Sequence, residues 1–301
     1  ICLLFKIDNG KPLILGMGHQ KSIGFSQNYL SSEKNLSQTI IKSLEKSLPK
    51  NSHFKNYVCY SNITDINSLT KKNFTSTTSG RLGITKKDIR KVFKKSIIES
   101  KVKGKNLIHS YPMNFRIDEN KLINNPVGVK CEKFGITSFN IMVDKKLHEK
   151  FNKCFRNENI QIKQFFDSGI ASSISNLSKE EKEKGVACID IGATSSKVTV
   201  YINDKIIYSK NIPLGGEHVT NDISKGLDVS LESAEHAKIV HGTLNMSFDE
   251  QIEINSDKSK NKKISKNILY GIIKPRYEEI FEIIRDYIFD DIYARISIKS
   301  I

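Results

Sequence analysis

The chain has 301 residues and carries 48 Lys and Arg against 33 Asp and Glu, a net charge of +15 at pH 7. That length suits about two domains, and no apolar run reaches the about 18 residues that a membrane-crossing helix needs. The excess charge is mostly scattered Lys without a basic–aromatic platform, so nucleic-acid binding is not expected. Together with the many Asn, Ile and Ser, it fits an AT-rich coding bias as well as a basic surface. Cys2, Cys59, Cys131, Cys154 and Cys188 have no Cys-x-x-Cys spacing, so buried, reduced thiols of a cytosolic protein are expected. The dispersed His residues predict no metal cluster.

Ile1–Ile7 and Pro12–Gly18 read as strands around the hairpin turn Asp8-Asn9-Gly10. Ser32 reads as the N-cap of a helix with an apolar stripe at Leu36, Ile40, Ile41, Leu44 and Leu48, ended by Pro49. Val58-Cys59-Tyr60 reads as a buried strand. Residues 62–80 are polar and rich in Ser and Thr. Thr85-Lys-Lys-Asp88 opens a helix carrying Ile89, Val92, Phe93, Ile97 and Ile98. Strands are expected around Leu107–Phe115 and Phe139–Val143, a helix over Lys146–Arg156, and a strand over Ile160–Phe165. Asp167–Leu177 reads as a small-residue helix in which Asp167 and Ser168 serve as a cap.

The most informative stretch is Val186–Tyr201. An apolar, β-branched strand ends on Asp190, the small residues Gly192, Ala193, Thr194 and Ser195 turn the chain, and a second strand follows. Such a turn brings backbone N–H groups against a phosphate, because no side chain intervenes. An Asp at the strand end is placed to hold the water shell of Mg²⁺. On this motif alone an ordinary hairpin is an equal reading. Lys205–Ile212 predicts a third strand, and Gly215-Gly216 then opens a helix whose N-terminus favours anions. Glu235 and Lys238 lie three apart on a further helix and share one face. They suit either a nucleoside or a solvated ion pair. Ser256–Lys263 reads as a lysine-rich hairpin tip or linker, and Leu269–Ile288 as a helix with an Ile stripe.

Taken in order, Phe166–Leu177, Gly185–Tyr201, Ile212–Ile223, Ala234–Gly242 and Ile273–Glu278 resemble the FtsA family of bacterial cell-division proteins. The resemblance implies an α/β, actin-like two-lobe ATPase core with an inserted α+β subdomain in lobe I. Residues 1–60 would begin lobe I and 61–157 would form the FtsA-type interaction subdomain. Residues 158–184 would return to lobe I and the interlobe helix. Residues 185–225 would form the lobe II core with its phosphate turn, 226–285 its smaller subdomain, and 286–301 the start of the return.

The resemblance also implies ATP and Mg²⁺ as cofactors, with Asp190 holding Mg²⁺ through water. Gly192, Ala193, Thr194, Ser195, Gly215 and Gly216 would serve phosphates and ribose, and Glu235 and Lys238 the nucleoside. Ala193 stands where the family usually has Gly. Ser168 stands where a Gln or Glu can position water, so at most weak ATPase activity is expected. The implied partners are the tubulin-like division ring protein, further copies of the chain in actin-like filaments, and other divisome proteins through 61–157. The membrane would be reached through a C-terminal helix, which places the protein on the inner face of the cell membrane at the division site. A type IV pilus assembly ATPase relative is the near alternative and a sugar-kinase-fold enzyme the farther one. The first phosphate turn is expected before Ile1, and the Gly-rich adenosine strand and membrane helix after Ile301. On that expectation the 301 residues alone bind ATP weakly, and the Leu269–Ile288 stripe is exposed.

Overall fold

The computed structural model describes residues 1–26, 29–49, 57–79, 83–118, 121–246, 250–254 and 262–289. It forms two compact units: Ile1–Cys188 with Thr199–Lys210, and Ile189–Val198 with Asn211–Ile301.

The first unit opens on an antiparallel hairpin, β1 (Cys2–Asp8) and β2 (Lys11–Gly18). Asn9 and Gly10 carry it at φ 48° and 77°, the left-handed pair that a tight turn between twisted strands requires. After the short strands β3 (Phe25–Ser26) and β4 (Tyr29–Leu30) comes α1 (Glu33–Ser47), with Ser32 as N-cap accepting from the Asn35 N–H. β5 (Cys59–Ile63) pairs in parallel with β10 (Ile162–Asp167). Ile63, Phe155, Ile160 and Phe165 are buried beneath them.

Between β5 and β10 lies an antiparallel sheet in the order β6-β9-β7-β8: β6 (Leu69–Thr78), β7 (Lys105–Ile117), β8 (Lys121–Ile123) and β9 (Lys133–Asp144). α2 (Lys86–Glu99) covers one face, burying Val92 against Ile84, Phe134 and Ile136. Its start is a capping box in which Thr85 and Asp88 exchange bonds. On the other face Met113, Phe139 and Ile141 pack against Ile170, Tyr201 and Ile206. β7 bulges at Leu107/His109 and again at Pro112/Asn114, where Pro112 withholds a ladder donor. α3 (Lys145–Arg156), α4 (Ser168–Asn176) and the short α5 (Lys179–Lys184) complete this unit.

β11 (Val186–Ile191), β12 (Ser196–Ile202) and β13 (Lys205–Ile212) form one sheet through which the chain passes into the second unit. Asn203 and Asp204, at φ 52° and 57°, turn β12 into β13. The second unit packs α6 (Gly216–Leu227), α7 (Leu231–His241) and α8 (Lys266–Ile288) with the hairpin β14 (Gln251–Ile254) and β15 (Lys262–Ser265). Its core is Val219, Ile223, Ala234, Ala237, Ile252, Ile254, Leu269 and Ile273. Arg276 of α8 grips Asp222 of α6 with two nitrogens, at 2.6 and 3.1 Å.

Several sequence expectations change. Within the polar, Ser- and Thr-rich residues 62–80 lies β6, a ten-residue strand. Its Thr and Lys residues suit a strand at the rim of a sheet, where only one edge is paired. Val58 and Tyr60 are exposed instead of buried. Only Cys154 is fully buried; the other four cysteines are half-buried, and none of the five forms a disulfide. Leu269, Ile273, Ile280 and Ile284 are buried, so the α8 stripe is core and not an exposed face. The exposed apolar side chains cluster on β1 and β2 instead, among them Leu3, Phe5, Ile7, Ile14 and Met17. Of the lysine-rich tip, residues 256–261 lie outside the described residues.

Candidate functional site

The candidate site lies within the second unit and begins where β11 runs out. Asp190 sits half-buried at the strand end. Two residues later the chain folds on itself, and the Gly192 N–H donates to the Ser195 carbonyl at 3.0 Å. The turn is then fastened to the start of α6. The Gly216 N–H donates to the Gly192 carbonyl at 2.9 Å and the Glu217 N–H to the Ala193 carbonyl at 2.7 Å. Two donors that a helix start leaves without an intrahelical acceptor are thereby satisfied. The glycines here act first as spacers. A Cβ on Gly215 would lie 2.4 Å from the Gly192 oxygen and 2.7 Å from that of Ala193, both backbone atoms that cannot step aside.

α7 lies beside α6, and its Lys238 completes the arrangement. The ammonium donates to the Gly216 carbonyl at 3.0 Å, to Thr220 Oγ1 at 2.8 Å and to Glu235 Oε2 at 2.6 Å. All three donors of the ammonium are thus used in one place. The Thr220 hydroxyl also reaches Glu235 Oε2. Lys238 is largely buried, whereas the Glu235 side chain is 45% exposed. Partial burial pushes the Glu235 carboxyl up, but bonds from Lys238 and Thr220 and the Lys238 charge outweigh it, leaving it below its ordinary value.

The structure therefore brings Gly192, Ala193, Gly215, Gly216, Glu235 and Lys238 into one bonded constellation. Ser195 is buried at the turn's end beside Ser196, whose hydroxyl donates to the Leu214 carbonyl at 2.7 Å. Asp190 and Thr194 adjoin the constellation through the chain. Thr220 was not picked out from the sequence. Its only signal is its place four residues after Gly216, one turn along the same helix face. Asp167, in the other unit, is the N-cap of α4 and accepts from the Ile170 N–H at 3.2 Å; Ser168 Oγ accepts from Thr64 Oγ1 at 3.1 Å.

Among the described residues no group of three or more His, Cys, Asp or Glu gathers as a metal cage. A single hard oxygen donor at Asp190 beside a small-residue turn is the donor set of a cation that keeps most of its waters and takes its other ligands from phosphate, which is how Mg²⁺ is commonly held.

Comparisons with known proteins agree with this architecture. The PilM–PilN type IV pilus biogenesis complex has a chain with a TM-score of 0.61 and 14% identity, covering 95% of this chain and 73% of that one, a likeness of fold. The family model for the SHS2 domain inserted in FtsA matches residues 64–142, and that for cell division protein FtsA matches residues 187–282. The cell division protein FtsA of Agrobacterium fabrum is 25% identical over 288 residues, which are 92% of this chain and 64% of that protein. The FtsA of Bacillus subtilis is 31% identical over 234 residues, 75% of this chain and 51% of that protein. The chain thus spans under two thirds of the length of these relatives.

The fold is that of an actin-like ATPase carrying an SHS2 insertion. Within that class, the chain belongs to the FtsA family of cell-division proteins.

Proposed function

We propose that this chain is the ATP-binding core of an actin-like protein that tethers the tubulin-like division ring to the cytoplasmic membrane and recruits later division proteins. The observation that carries the nucleotide part is the fastening of the Gly192–Ser195 turn to α6 and of α6 to Lys238. It sets a turn of small residues, the strand-end Asp190 and a Glu/Lys pair within one unit. In this reading Asp190 holds Mg²⁺ through water, Gly192 to Ser195 with Gly215 and Gly216 meet phosphates and ribose, and Glu235 presents its exposed carboxylate to the nucleoside. Mg²⁺ would neutralise phosphate charge when bound. Lys238 and Thr220 orient Glu235 and keep its carboxylate ionised.

Turnover would be slow. Asp167 is committed to its cap bond and Ser168 is no general base unaided, so neither is placed to activate water. The remaining assignments follow the family. Residues 61–157 form the partner-binding insertion between the two parts of lobe I (1–60 and 158–184), and residues 185–301 belong to lobe II. Copies associate into filaments, and a C-terminal amphipathic helix of the whole protein meets the inner face of the membrane at the division site.

The test is calorimetric titration with ATP and Mg²⁺, using the chain extended to the full length of its relatives. Asp190→Ala is expected to abolish the metal dependence of binding, and Lys238→Met to weaken binding about tenfold, the loss of a charge-assisted bond. Unchanged affinity and metal dependence in both variants would remove the assignment.

A further inference from the structure

The insertion carries a surface that the nucleotide site does not use. β6 is an outer strand of its sheet, and among the described residues no strand pairs with its other edge. Ten residues long, it is the kind of edge on which an extended chain can add by backbone hydrogen bonds. α2 runs alongside. Asn73 Nδ2 reaches the Ser96 carbonyl at 3.2 Å, and Lys95 Nζ lies 3.5 Å from the Ser76 carbonyl. Ser96 lies on Ser138 and Val92 packs on Ile136 and Phe134, which pair with Asn73, Thr75 and Thr77 in that order, so the helix runs opposite to the strand, with Lys95 at the edge and Lys91 and Lys87 following at four-residue steps toward Thr78.

α2 concentrates positive charge. Lys86, Lys87, Arg90, Lys91, Lys94 and Lys95 are all exposed on its 14 residues. Its two carboxylates are already engaged, Asp88 by Thr85 and Glu99 by Thr75 and Lys95. The opposite face of the edge carries one large apolar side chain among Thr70, Lys72, Ser76 and Thr78. Asn73 and Thr75 turn toward α2, so by alternation Phe74 turns away, where it lies half-exposed under Arg116.

We infer that the outer edge of β6 receives an extended acidic segment of a partner protein, in which carboxylates alternate with apolar residues. Added as a fifth strand, such a segment sets every second side chain toward Lys87, Lys91 and Lys95 and the others toward Phe74. A second copy of this chain is a poor occupant, because pairing edge to edge brings two basic stripes together. Lys71 and Lys72 on the strand itself are the usual guards against such pairing. The inference rests on reading 61–157 as a partner-binding insertion and says where and what it binds.

The probe is a ten-residue peptide alternating Val and Glu, matched in length to β6. It is added to the full chain while amide hydrogen exchange is followed. Protection is expected at alternate amides of Leu69–Thr78. Binding is expected to weaken about tenfold in Lys87→Gln/Lys91→Gln/Lys95→Gln, the sum of three exposed charge pairs. A larger loss is expected in Lys87→Glu/Lys91→Glu/Lys95→Glu, where repulsion replaces attraction, with circular dichroism confirming the fold of both variants. The inference is overturned if the Val/Glu peptide leaves β6 unprotected, or if a Val/Lys peptide binds as well. It is equally overturned if phosphatidylserine vesicles, and not the peptide, require these lysines, or if β6 protection follows chain concentration alone. A second titration uses cytoplasmic segments of division membrane proteins. Protection elsewhere in 64–142 with β6 silent sinks this inference and spares the insertion reading, whereas no protection anywhere in 64–142 sinks both.

Discussion

In the insertion, side chains hold a helix to a sheet; at the glycine turn, backbone holds backbone. α2 and the inner strands lock together through Ile84, Val92, Phe134 and Ile136 and through a polar seam. In that seam Ser96 and Ser138 lie 2.6 Å apart, and Asn140 donates to Ser138 Oγ at 2.9 Å. The turn at Gly192 instead meets α6 through two backbone bonds at a separation that excludes a methyl group. The two regions should therefore fail differently. A packed interface loses stability in proportion to what is removed, whereas a close backbone approach fails when anything is added.

The largest expected effect is at the turn. Gly215→Ala places a Cβ 2.4 Å from the Gly192 oxygen. Relief requires moving the turn, which breaks its bonds from Gly216 and Glu217. Overpacking plus two lost backbone bonds predicts a destabilisation of about 4 kcal/mol. Urea unfolding of the second unit measures the cost, and nucleotide binding of the extended chain should be lost with it. A wild-type midpoint would show that the turn is not held by backbone contact.

Next comes the insertion. Ile141 is wholly buried between the sheet and Ile170, Tyr201 and Ile206. Ile141→Ala should cost about 3 kcal/mol by cavity formation and leave the glycine turn undisturbed. Smaller again is Ser138→Ala, which strips a partner from both Ser96 and Asn140 and should cost about 1–2 kcal/mol. Replacing Ser96 and Ser138 together by Ala should cost less than the sum of the single changes, because neither hydroxyl is then left behind. Strict additivity would mean that the seam is not a coupled network.

The same contrast explains what could be read from the sequence. Asn9-Gly10, the Thr85–Asp88 box and the Gly192–Ser195 turn are local devices whose residues declare the conformation. Gly215 was legible as a place of close approach, but the approaching atom was not, since it belongs to a turn over 20 residues earlier. Thr220 joins Lys238 only because α6 and α7 pack, and single-helix spacing cannot show that. β6 escaped notice because a polar rim strand lacks the apolar alternation that marks a half-buried one, and its pairing with β9 is set from over 50 residues away. Exposure misled in both directions. The α8 stripe is buried, whereas Val58 and Tyr60 are exposed, because burial depends on what packs against a segment as well as on its own composition.

The smallest effect concerns charge at the site itself. Glu235 is held below its ordinary carboxylate value by Lys238 and Thr220 despite partial burial. A carboxyl depressed in the folded state adds stability above its unfolded value, ordinarily 4.5, and loses that stability as pH falls through the folded value. Glu235→Gln keeps an acceptor for Lys238 and removes the charge. The gap in melting temperature between the parent and this variant should therefore be widest near neutral pH and close as the solution is acidified below 4.5. Because the side chain is 45% exposed, water screens the pair and the gap should be only about one or two degrees. A gap that stays constant from neutral to acid pH would mean that the Lys238–Glu235 charge pair contributes nothing, leaving the backbone bonds from Gly216 and Glu217 to hold the turn alone.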